Sequence, residues 1–254
     1  MATLIEHIYA QRHTDQKAQL AAPLDPAQIS EAFAATTADL QPRPARGPFL
    51  PPGRKPHADL LAERAHSTDR LLNTEHLQAL MWAPPRHRVE GHPELDFHYL
   101  ARELTPTSSV SRSERVWLTE ESQRHISLDA LLMNADDRTP VVAEIKVGGD
   151  ANAEYGLVQA LAAAAQLSTE SQRRRLHTEY RDYLGAHPPR HLDIYVITAR
   201  APERGTRPQL AARAHQLARD LEERGALSQW VRRIRFLEAD LWNSELSLRA
   251  VGLS

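Results

Sequence analysis

Asp129, Glu144 and Lys146 stand in the middle of the chain where charge is unfavourable. Glu144 and Lys146 lie two apart inside the apolar run "PVVAEIKV" at 140–147, and Asp129 lies inside "ISLDALLM" at 126–133. Runs of this length and composition read as β-strands packed on at least one face, where an unpaired charge is costly. Period-two alternation puts Glu144 and Lys146 on the same face of their strand. Between the runs, "NADDR" at 134–138 has the Asn/Asp chemistry of a tight turn, so a hairpin folds Asp129 back beside Glu144. Two carboxylates close together in a partly buried place repel, and a divalent oxygen-seeking cation, Mg²⁺ or Mn²⁺, is the natural counter-charge. The neighbouring ammonium can then orient or deprotonate a water activated by the cation, or stabilise charge growing on a phosphate.

Composition singles out the lysine. Of 31 basic residues only Lys17, Lys55 and Lys146 are lysine, so arginine serves wherever a generic positive charge is wanted. An ammonium is a compact donor whose proton affinity responds to burial, whereas a guanidinium is a wide fork that stays charged. A point charge or proton carrier at 146 therefore selects lysine.

The elements that must position these residues follow from periodicity. Residues 1–40 hold two short helical patterns, the second entered through "PLDPAQ", with Asp25 as cap and Pro26 at the first helical position. "QPRPARGPFLPPGRKP", 41–56, is too proline-rich for a helix or strand and reads as a linker, so the chain divides into an N-terminal helical arm at 1–57 and a domain at 58–254. Helical spacing runs from Ala58 to Trp82, with a restart at Asn73 or Thr74, and again from Pro93 to Leu104, where Phe97, Leu100, Ala101 and Leu104 share a face. "ERVWLTE" at 114–120 and the two runs above predict a three-stranded antiparallel meander. Asp150 or Asn152 then caps an alanine-dense helix to about Leu167. A strand at 191–199, a helix from Pro208 to about Arg224 and a strand at 232–239 complete an α/β (α+β) fold, a mixed sheet flanked by helices.

Asp129, fourteen intervening residues, then Glu144-Ile145-Lys146 resembles the core motif of the PD-(D/E)XK nuclease superfamily, and the order helix, three strands, helix, strand over roughly 93–200 is similar to that family's restriction-endonuclease-like core. The resemblance implies Mg²⁺-dependent hydrolysis of phosphodiester bonds, with DNA as the partner. It implies Asp129 and Glu144 as metal ligands, the Ile145 carbonyl as a further ligand, Lys146 positioning the water, and Gln159 on the next helix supporting the site. Tyr155 lies one turn before Gln159, the reverse of the Gln-then-Tyr order in one branch, and Leu128 replaces the motif's proline. Many members carry a glutamate on the first core helix, for which Glu94 and Glu103 are candidates.

Other features set bounds. A formal net charge of −2 announces no global basic field, and zero cysteines exclude disulfides and thiol chemistry. Neither a membrane span nor a signal-peptide core is apparent, which points to a cytoplasmic protein without a membrane partner. A homodimer would supply the two sites that a double-strand break needs. Arg173 to Arg175 and Arg232, Arg233 and Arg235 could contact phosphates or be solvated surface. "HRVEGH", 87–92, lacks metal-ligand spacing and reads as loop histidines. The competing reading is a catalytically inactive module of the same fold that binds nucleic acid or a protein. For Glu144 and Lys146 the bland reading is a solvent-facing ion pair, against which the flanking Val141, Val142, Ile145 and Val147 put apolar residues on both faces.

Overall fold

Near-continuous apolar runs mark strands covered on both faces, and the sheet built from them is covered on both. The computed structural model describes residues 24–37, 58–59, 62, 74–82, 86–104, 106, 128–147, 152–199, 208–242 and 245–252. Strands β1 (Phe97–Leu104), β2 (Leu128–Asn134), β3 (Pro140–Val147), β4 (Leu192–Ala199), β5 (Val231–Trp242) and β6 (Glu245–Val251) form one sheet in that order. The pairs β3–β4 and β4–β5 are parallel and the rest antiparallel, which makes the sheet mixed. Helices are α1 (Pro26–Thr37), α2 (Thr74–Trp82), α3 (Ala153–Leu167), α4 (Glu170–Glu179), α5 (Arg181–Leu184) and α6 (Pro208–Glu223). The protein is thus α+β, a six-stranded mixed sheet flanked by helices.

The two parallel connections leave α3 and α6 on the same face, as right-handed crossovers to successive neighbours require. Their residues Leu157, Leu161, Ala214 and Leu221 share one core with Leu131, Val142, Val196 and Phe236 of the sheet. Helix α1 joins this core through Ile29, Ala32 and Phe33, with the Phe33 ring 5.5 Å from that of Trp230. The helix that the sequence assigns to an arm is thus built into the main core. Its cap is as expected: the Ala27 N–H donates to Asp25 Oδ1 at 2.9 Å, with Pro26 as the first helical residue. The opposite face is covered by α2, whose Leu77 and Met81 meet Ala130, Ala143, Ile145 and Tyr195. No helix among the described residues is long and apolar enough to cross a membrane.

One element differs in kind from the sequence reading. The stretch expected as a helix from Pro93 to Leu104 is a short 3₁₀ turn at Pro93–Leu95 followed by strand β1. A register shift between Tyr99 and Ala101 moves Ala101 to the α3 face, opposite Phe97, and the left-handed backbone of Glu103, φ 48°, keeps Leu104 on that face too. Such a bulge breaks the two-residue period, and the result imitates the i, i+3, i+4, i+7 spacing of a helix. The meander is therefore β1-β2-β3, while the strand expected at 114–120 and the linker at 41–56 lie outside the described residues. The turn at 134–138 is as predicted: Asn134 Oδ1 accepts from the N–H groups of Asp136 and Asp137 at 3.0 and 3.3 Å.

Candidate active site

Strands β2 and β3 pair from Met133↔Pro140 to Ala130↔Ala143. Where the described ladder ends, a side chain replaces it: the Ile145 N–H donates to Asp129 Oδ2 at 2.8 Å. In an antiparallel ladder the N–H and C=O of one residue point to the same neighbour. The Ile145 carbonyl therefore turns toward the side on which Asp129 stands. Asp129 is fixed from the other face as well, because Gln78 of α2, fully buried, donates from Nε2 to its carbonyl at 2.7 Å.

One face of β3 turns Glu144 and Lys146 toward α3. Glu144 is 1% exposed and the Lys146 side chain 12%. Lys146 Nζ donates to Glu144 Oε1 at 2.7 Å and also to Gln159 Oε1, and it lies 5.2 Å from the centroid of the Tyr155 ring. Helix α3 starts where the sequence permits, at Asn152, whose side chain accepts from the Tyr155 N–H at 3.0 Å. Thirteen of the fifteen α3 residues are buried, and the two that are not are Tyr155 and Gln159. Spaced four apart they share a face, so the partly open stripe of an otherwise enclosed helix is the stripe that meets Lys146.

Burial pushes the Glu144 carboxyl well up, the Asp129 charge pushes it further, and Lys146 opposes both. Asp129 is also raised by burial, against the pull of Lys146, the Ile145 N–H and a hydrogen bond with Glu144. The two carboxyls thus act on each other, and burial raises both. Glu144 Oε2 is buried and meets no hydrogen-bond donor among the described residues. An orphaned, buried carboxylate oxygen beside a second carboxylate is an arrangement that a proton or a hard cation completes. Mg²⁺ takes one or two carboxylates and keeps several waters, and Asp129 and Glu144, with the Ile145 carbonyl, are the groups here that could hold it. Among the described residues no group of three His, Asp or Glu side chains is placed to hold a metal ion.

The glutamates considered for a first core helix are on none: Glu94 is in the 3₁₀ turn, and Glu103 is on β1 with a left-handed φ of 48°. The arginines of β5 are engaged within the chain, Arg232 and Arg233 by the buried Asp193, and Arg235 by Glu222. Arg174 pairs with Glu170, and Arg175 is buried beside Gln172. His87 is a core histidine, with Nε2 2.5 Å from the Met81 carbonyl and its ring stacked on Phe97 at 5.0 Å. Two supporting residues escaped the sequence reading. Gln78 left no signal, because its partner is 51 positions away. Gly156 did leave one, as a glycine inside an alanine-rich helix.

Compared with protein-family models, with curated proteins and with solved structures, the chain finds no match in any of the three.

Proposed function

We propose that the chain is a metal-dependent nuclease of the restriction-endonuclease-like kind, hydrolysing phosphodiester bonds of DNA with Mg²⁺ or Mn²⁺. The observation that carries this reading is the convergence of Asp129, Glu144, Lys146 and Gln159 from two strands and a helix. A divalent cation, when bound, supplies charge to the phosphoryl oxygens and acidifies a water. Asp129 and Glu144 would hold that cation, with the Ile145 carbonyl as a backbone ligand. Lys146, steadied by Gln159 and Tyr155, directs its ammonium at the attacking water or at a phosphate oxygen that gains charge. Attack of water at phosphorus forms one P–O bond as the bond to the leaving oxygen breaks, the water giving up a proton to solvent and the leaving oxygen taking one from it.

A second reading, the same fold without catalysis and serving to bind nucleic acid or a protein, is favoured by one feature: the Lys146–Glu144 ion pair already neutralises a carboxylate that a cation would use. Calorimetric titration with Mg²⁺ and Mn²⁺, run beside cleavage of labelled DNA and RNA, separates the two. Expected are cation binding that is lost in Asp129→Ala and Glu144→Ala, and cleavage that falls at least about 100-fold in Lys146→Ala. Wild-type protein that binds neither cation and cleaves neither polymer would sink the nuclease reading.

A further inference from the structure

Glycine is a poorer helix former than every residue but proline, because its backbone has the most freedom to lose. Helix α3 nevertheless carries Gly156 among six alanines. Alanine is plainly acceptable along this helix, so position 156 needs a local reason. A Cβ placed there would lie 3.2 Å from Lys146 Cγ, 3.4 Å from Lys146 Cε and 3.2 Å from Val196 Cγ1. Two of these three atoms belong to the lysine stem, so the space left by the missing methyl is the channel in which that stem lies. The far wall is Val196, which pairs with Glu144 across β3 and β4. The helix is poorly placed to back away, since Glu154 ties it to Arg213 of α6 at 2.9 Å and its other faces are buried.

We infer that Gly156 is a positioning residue: by leaving room for the Lys146 stem it sets where the ammonium stops, against Glu144 Oε1 and Gln159. What the ammonium does there rests on the nuclease reading, but where it is held does not.

The chain's three lysines make the test direct. Protein labelled with ¹³C,¹⁵N-lysine has three Cε resonances, and Lys146→Ala identifies the one at the site. In Gly156→Ala at fixed pH the Lys146 resonance is expected to move while those of Lys17 and Lys55 stay. Cleavage at saturating DNA is expected to fall about tenfold to a hundredfold, with KM within about twofold, as displacement of a catalytic group predicts. A double-mutant cycle adds a readout on stability: Gly156→Ala should lower Tm less in the Lys146→Ala background than in the wild type. A Gly156→Ala chain that does not fold, beside a Gly156→Ala/Lys146→Ala chain that does, is the same result in stronger form. An unmoved Lys146 resonance, strictly additive Tm changes, or failure of both chains to fold overturns the inference. A moved resonance in a protein that never cleaves nucleic acid leaves the positioning intact and removes the nuclease reading instead.

Discussion

A carboxyl group that is 1% exposed and faces a second carboxyl opposes folding whenever both are ionised. Because the folded-state pKa of Glu144 lies above its unfolded value, the folded chain keeps a proton that the unfolded chain has lost. Its effect is therefore absent below the ordinary glutamate range, and stability is lost as pH rises through the folded-state value. Glu144→Gln removes this penalty. Its carbonyl still accepts from Lys146, and its amide can donate toward Asp129, where Oε2 now meets no donor. The expected outcome at pH 8 is a gain of about 1 kcal/mol, a rise in Tm of roughly 2–4 °C for a chain of this size. Cation binding and cleavage should be lost in the same variant, and near pH 4 the Tm difference should vanish. Thermal melts at the two pH values read the stability, and a Tm that falls at pH 8 would show that the carboxylate stabilises the fold.

At the scale of elements, the cap of α3 links stability to the site, because the Asn152 bond to the Tyr155 N–H fixes the turn from which Tyr155 and Gln159 reach Lys146. Asn152→Ala is expected to destabilise by about 1 kcal/mol in urea unfolding, and to reduce cleavage well beyond the fraction unfolded. Asn152→Ser, which restores an acceptor, should recover both, and recovery of stability without cleavage would separate the cap from the site. This cap was legible in the sequence, as were β3, β4 and α6, because each follows from neighbours along the chain. Strand β1 was not, since the register shift between Tyr99 and Ala101 and the left-handed Glu103 break the two-residue period twice. Helix α4 was missed because its residues are nearly all polar, with Gln172, Arg175 and Leu176 the only buried ones. In the site, Asp129, Glu144 and Lys146 could be placed together from a two-residue period and one turn. The hold of Gln78 on Asp129 and the room that Gly156 leaves for Lys146 depend on packing between elements, which no local pattern encodes.

Over the whole molecule buried and half-buried groups shape the dependence of stability on pH from opposite sides, His87 and His215 on the acid side and the Asp129–Glu144 pair on the other. Burial lowers the pKa of His87, so the unfolded chain takes up a proton that the folded chain refuses, and stability declines as pH falls below the ordinary histidine range. Glu144 produces the decline on the alkaline side. A divalent cation held by Asp129 and Glu144 would act on the alkaline side, because it would replace the proton on the pair and supply the missing counter-charge. At a hundred times its dissociation constant a ligand of the folded state adds about 2.7 kcal/mol. Mg²⁺ is therefore expected to raise Tm by several degrees at pH 8 and by less at pH 5, where protons compete more strongly for the carboxyl pair. Calorimetry in buffers of different ionisation enthalpy should find proton release on binding that shrinks as pH rises. His87→Phe, which retains the stacking on Phe97, should flatten only the acid side and leave the Mg²⁺ effect unchanged. A Tm increment from Mg²⁺ that is equal at both pH values, or that persists in Asp129→Ala, would place the cation somewhere other than on this carboxyl pair.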